Sequence, residues 1–282
     1  MKALLALTPL LLAACAAPTP PIPNDSLAAE CPHEVQYAPF GTESDTLADL
    51  KKRAEQRLQA IGLQAQWQAP EGQPFTDSDE DRERLRSLLA IVIPAYERYR
   101  PALLRHIGLK RLEFVKNLSV AGQLRRAMPA AERDSVVYAD VGGPPACPAG
   151  IELRAHHELY HFIDHRLFGH YYPRDPAWQA LNPAGAPYGA GGATAYGKNF
   201  QNLGHPQAGF VSRYALYGPE EDKAELFGWL LTPGYRERVL AWSAQDAALD
   251  AKRRFMEALL QRLEQEPLPQ TPPVTSSTEP VT

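Results

Sequence analysis

No stripe of lysine and arginine runs through these 282 residues, and the formal net charge is -4. A nucleic-acid partner is therefore not expected, and the mild negative charge reads as solubility. The apolar run at the start, Ala3 to Ala14, is too short to span a membrane as a mature helix. Cysteine is scarce: Cys15, Cys31 and Cys147 are all there is. Nor does a linker or repeat interrupt the middle of the chain. Its length allows one large domain or two small ones, and the missing linker favours one. Hydrophobic residues make up 44% and charged residues 22%, which is enough apolar material for a packed core.

The first residues have the form of a signal peptide: Met1-Lys2, then the apolar run, ending in Leu12-Ala13-Ala14-Cys15. That ending resembles the lipobox of bacterial lipoproteins. The resemblance implies cleavage after residue 14, lipid on the Cys15 thiol, and attachment to a membrane through that anchor alone. Ala16 is not Asp, which within the same resemblance implies the outer membrane, on its periplasmic or cell-surface face. The alternative is an ordinary signal peptide in which Cys15 is incidental. An exported chain meets an oxidising compartment, where Cys31 and Cys147 can pair; two unpaired thiols are the alternative.

Residues 15–30, with Ala-Pro-Thr-Pro-Pro-Ile-Pro at 17–23, read as a stiff Pro-rich tether. Residues 267–282 hold five prolines and little to bury, so a disordered tail is expected there. The folded part is then residues 31–266. Helical spacing is clear in 45–61, with Gly62 as a stop, and in 78–107, where Ser78 can cap and Pro94 should kink or divide the helix. Short strands are expected at 112–115, 136–139 and 151–153. Further helices are expected at 154–168, 220–231 and 235–264. A loop rich in Gly, Pro, Asn and Tyr covers 171–213, and a loop that long often lines a binding cleft. The pattern is α+β, mostly helical with a small sheet.

Residues 156–165 read His-His-Glu-Leu-Tyr-His-Phe-Ile-Asp-His, which contains HExxH at His157, Glu158 and His161. On a helix, residues four apart share a face, so both imidazoles can reach one zinc ion. Glu158 then lies beside the metal, where it can take a proton from a water whose pKa zinc lowers to roughly 7. Leu159, Phe162, Ile163 and Leu167 offer a packing face, and Gly169 a C-terminal stop. His156 points well away from His157, and His165 drifts round the face, so both read as non-ligands. Asp164 lies one turn beyond His161; it either steadies a ligand histidine or is a solvated acid.

A catalytic zinc commonly has three protein ligands and one open position. A histidine ten residues after the first ligand would complete one type of site, but that position is Leu167, and Asp164 stands where that type needs Gly. A later helix offers acids instead. Pro219 is placed to open it, and Glu221 and Glu225 share a face at i and i+4. One of the two can bind metal while the other holds a histidine, although acids in a first helical turn are also favoured by the helix dipole alone.

His-His-Glu-Leu-Tyr-His, followed by Ser-x-Tyr-Ala and Glu-Asp-x-Ala-Glu-x-Phe, resembles zinc-binding metallopeptidases of the gluzincin type related to the anthrax lethal factor catalytic domain. The likeness covers roughly residues 136–231 and is strong only at the two motifs. It implies a zincin-like fold, with Glu221 as third ligand, Glu225 as its outer partner and Tyr214 as donor to a developing oxyanion. Trp178-Gln179-Ala180-Leu181-Asn182-Pro183 shares in the likeness without a mechanism of its own. Lys223 stands where that type carries an apolar residue, which suggests a more exposed helix. The function so implied is a zinc metallopeptidase acting on a peptide or protein. Its rivals are a zinc-binding surface lipoprotein without turnover and a zinc amidase acting on cell wall.

Overall fold

Thr46 starts the first helix. Its hydroxyl accepts from the Asp49 N–H, and the Asp49 carboxylate accepts from the Thr46 N–H, which satisfies two of the otherwise unpaired donors at a helix start. α1 (Leu47–Ala60) then buries Leu50, Ala54 and Leu58. In the computed structural model, which describes residues 31–140, 147–170, 175–186, 188–195 and 202–265, the chain is an α+β fold, mostly helical with a small sheet. The expected signal peptide, tether and tail, with Cys15, lie outside the described residues. No described helix is long and apolar enough to cross a membrane.

After β1 (Gln64–Gln66), Ser78 caps α2 (Asp79–Glu97), whose first turn carries three acids. Pro94 does not divide this helix. The break falls later, at Arg98–Arg100, because Pro101 forces the residue before it out of the helical region: Arg100 has φ -65 and ψ 136. Pro101 then opens α3 (Pro101–His106).

β2 (Arg111–Lys116) and β6 (Ser135–Asp140) form the middle of a four-stranded sheet in the order β1-β2-β6-β5. β1, β2 and β6 are parallel, with Leu112 opposite Val136 and Phe114 opposite Tyr138. β5 (Ala127–Ala130) closes one edge antiparallel to β6. Between β2 and β5, β3 (Ser119–Val120) and β4 (Gln123–Leu124) make a hairpin. Its two turn residues, Ala121 and Gly122, both have positive φ, as the strand twist favours.

The strand expected at 151–153 is absent. Those residues belong to α4 (Pro148–Phe168), which Pro148 opens from an N-cap at Cys147 and Gly169 closes in the left-handed conformation at φ 79. A short apolar run has no period of its own, and only the flanking Pro148 separates helix from strand here. Residues 152–164 of α4 are buried apart from Arg154, so this helix threads the core. Against it lies α6 (Pro219–Leu231). The two approach closely because Gly228 has no side chain; a Cβ there would meet the Leu153 carbonyl oxygen at 2.8 Å.

Within the long loop, the described residues form α5 (Pro176–Gln179), two 3-10 turns at Gly192–Ala195 and Tyr214–Tyr217, and an antiparallel bridge from Gly204 to Ser212. The single helix expected at 235–264 is two, α7 (Tyr235–Ser243) and α8 (Ala247–Gln265). Asp246 breaks it by taking the Ala248 and Leu249 N–H groups on its side chain. Cys31 and Cys147 are joined in a disulfide, which ties the first described residue to the N-cap of α4.

Candidate metal centre

Two buried helices supply the site. α4 presents His157 and His161, whose rings lie 4.8 Å apart at 78°. α6 presents Glu221 and Glu225 from its first two turns. His157 Nε2 is 3.1 Å from His161 Nε2 and 3.1 Å from Glu221 Oε2, and His161 Nε2 is 3.6 Å from that same oxygen. All three side chains are buried.

The triangle so formed fits a small cation. Bonds of about 2.0–2.1 Å in a tetrahedron give edges of about 3.3 Å, and the three edges here are 3.1, 3.1 and 3.6 Å. Glu221 Oε2, the oxygen in the triangle, has no hydrogen-bond partner although it is buried. A buried carboxylate oxygen without a donor is costly unless a cation faces it. Two imidazoles and a carboxylate are a donor set that first-row divalent ions accept.

The electrostatics point the same way. Burial opposes a charge on His157, yet Glu221 and Glu225 outweigh it and push its pKa up to about 10. Burial would raise Glu221, but the His157 and His161 imidazoles beside it hold it well below the usual carboxylate range. Two carboxylates facing one imidazole thus favour positive charge at this point.

Glu225 sits behind His157. Its Oε1 lies 3.0 Å from His157 Nδ1, off the N–H direction, so the contact is ionic more than a straight hydrogen bond. Its Oε2 accepts from the Ser212 hydroxyl and, at 3.2 Å, from the Asn202 amide. Tyr214 meets the other oxygen of Glu221, its hydroxyl donating to Oε1 over 3.1 Å. Its ring centre is 5.9 Å from that of His157. Glu158, next to His157, is 8% exposed.

The loop before Tyr214 covers the acids. A Cβ on Gly192 would lie 1.8 Å from Glu221 Oε1 and 2.6 Å from the Tyr214 hydroxyl, so only glycine allows the backbone this close. Gly189 and Gly191 N–H groups donate to the Leu216 and Tyr217 carbonyls and hold the loop in place. Glu220 is also buried. Burial raises its pKa, and the charge of Glu221 adds to that rise.

His156 turns the other way: Nδ1 meets the Tyr99 hydroxyl at 2.5 Å, and Nε2 lies 3.6 Å from Glu152. His165 is half-buried and outside the cluster. Asp164 is not a solvated acid. It is fully buried, and Lys223 Nζ donates to it over 2.8 Å. Burial lifts its pKa to about 6 against the pull of Lys223. The exposed helix that Lys223 suggested is likewise absent, since Lys223 has no accessible surface. Its stem and charge are accommodated by Asp164, by Asp175 at 3.8 Å, and by the faces of Tyr160 and Phe168.

Sequence reasoning passed over Asn202, and read Asp222 only as an acid suited to a first helical turn. Asp222 accepts from Trp178 Nε1 at 2.9 Å, from the Tyr188 hydroxyl and from Lys252 Nζ, each at 2.6 Å. The same hydroxyl lies 3.3 Å from the Asn182 side-chain amide. The segment from Trp178 to Pro183 thus acquires a role: it fastens the covering loop to α6, one residue from Glu221. Comparison with family models, with curated proteins and with solved structures finds no match.

Proposed function

We propose that this chain is a zinc metallopeptidase of zincin-like fold, with His157, His161 and Glu221 as the metal ligands. The convergence of those three donor atoms, at separations suited to one small cation, is the observation that carries the reading. Zinc bound there would polarise a carbonyl and lower the pKa of a water. Glu158, the residue after the first of these histidines, would take the proton from such a water and return it to the leaving amine. Tyr214 has its hydroxyl already at the ligand carboxylate, from which it can turn to donate to the oxyanion as charge develops. Glu225 holds His157 from behind and fixes which ring nitrogen faces forward.

The glutamate that directly follows the first histidine, Glu158, favours this reading over a zinc-binding surface protein without turnover, because a purely structural site has no need of it. Between a peptide and a cell-wall amide, the substrate is decided by assay. Purified protein loaded with zinc should cleave a mixed peptide substrate and lose that activity to a chelator. Glu158→Gln should keep its metal while losing roughly 100-fold to 10,000-fold in rate. Near-normal hydrolysis by Glu158→Gln would remove that residue from the mechanism, and cleavage of cell wall alone would make the enzyme an amidase.

A further inference from the structure

Contacts followed outward from the metal ligands meet at one residue, Asn202. It is buried at 8% exposure, where its segment pairs with the one before Tyr214. That pairing is antiparallel: Arg213 N–H donates to the Leu203 carbonyl and His205 N–H to that of Val211, each over 2.8 Å, with Gly204 opposite Ser212. Both ends of the Asn202 amide are engaged. Its NH2 donates to Glu225 Oε2 over 3.2 Å, and its carbonyl oxygen accepts the Tyr214 N–H over 2.8 Å. The chemistry fixes which end is which, since a carboxylate only accepts and an N–H only donates.

We infer that Asn202 is a positioning residue, which locks the carboxylate behind His157 and the backbone that carries Tyr214 into one register. The inference rests on the metallopeptidase reading. Asn202 and Ser212 both donate to Glu225 Oε2, which leaves Oε1 directed at His157. The Ser212 hydroxyl in turn accepts the Ala215 N–H over 3.2 Å, so the turn bearing Tyr214 is held at two consecutive residues. A side chain of this length needs a donor and an acceptor together to do this. Leucine has neither, and aspartate would set one carboxylate against another. A shift of Asn202 therefore moves both the His157 imidazole, through Glu225, and the Tyr214 phenol.

Zinc affinity, read by competition with a chelating indicator, tests this. Asn202→Ala should weaken zinc binding roughly 10-fold, the usual cost of losing a group that holds a ligand in place. Asn202→Asp, which keeps the acceptor for Tyr214 but loses the donor to Glu225, should weaken it at least as much. In a Glu225→Gln background the Asn202→Ala change should cost less than about 2-fold, because the residue acts through Glu225 and the two effects are not additive. With tyrosines isotopically labelled and the Tyr214 ring signal identified by Tyr214→Phe, that signal should move in Asn202→Ala and move less in Asn202→Asp. Equal zinc loss with and without Glu225 would mean a general structural role and overturn the inference, as would unchanged affinity or an unmoved Tyr214 signal. An unaltered protein that binds no zinc would instead overturn the metal-centre reading, and the inference with it.

Discussion

At the scale of single residues, the two acids of α6 do different work although they lie on one helical face. Glu221 places an oxygen 3.1 Å from His157 Nε2 and 3.6 Å from His161 Nε2; Glu225 reaches only the back of His157, at Nδ1. Loss of a ligand removes a metal–oxygen bond, whereas loss of an outer partner loosens one imidazole and costs about 10- to 100-fold. Glu221→Gln should therefore weaken zinc binding more than Glu225→Gln does. A titration that ranks them the other way would exchange their roles. His157, His161 and the acid pair were legible because i and i+4 spacing projects side chains to one side whatever the tertiary setting. Lys223 and Asp164 were not. A lysine in a helix ordinarily means solvent, and only the Asp164 and Asp175 carboxylates converging from α4 and the start of α5 make a fully buried ammonium tolerable here. Asn202 gave no signal either, since its partners are 12 and 23 residues away.

At the scale of elements, the centre depends on how closely α6 approaches α4. Gly228 sets that distance, with the Leu153 carbonyl 2.8 Å from where its Cβ would be. Gly228→Ala gains about 1 kcal/mol of helix propensity, but the clash is with backbone, which cannot swing aside, and overpacking costs about 1–3 kcal/mol. The clash should win. Thermal unfolding should show a lower midpoint, and zinc binding should weaken because Glu221 and Glu225 ride on the displaced helix. A midpoint at or above that of the unaltered protein would show that the helices are not in tight contact there. The sequence announced the helices through period and punctuation: Ser78 at a start, Gly62 and Gly169 at ends. It concealed element boundaries where one local group overrides a continuing pattern, as Pro101 does after α2 and Asp246 does between α7 and α8. The two-residue strands β3 and β4, and the three- and four-residue β1 and β5, are too short to carry a period at all.

Over the whole molecule, one covalent bond joins the first described residue to the helix that carries His157 and His161. The Cys31–Cys147 disulfide spans 116 residues, and closing a loop of that size restricts the unfolded chain by an amount worth about 4–5 kcal/mol. Cys147 is also the N-cap of α4. Denaturant unfolding with and without reductant should therefore show a markedly lower midpoint for the reduced protein; coincident curves would mean that the bridge adds nothing to the folded state.

The central claim is that His157, His161 and Glu221 together hold zinc. Crystals grown with zinc and measured at the zinc absorption edge test it most directly. The account predicts one strong anomalous peak per chain, about 2.0–2.2 Å from a nitrogen of each histidine and from a Glu221 carboxylate oxygen. No peak between the two helices, or a peak bound through Glu225 with Glu221 turned away, would contradict it.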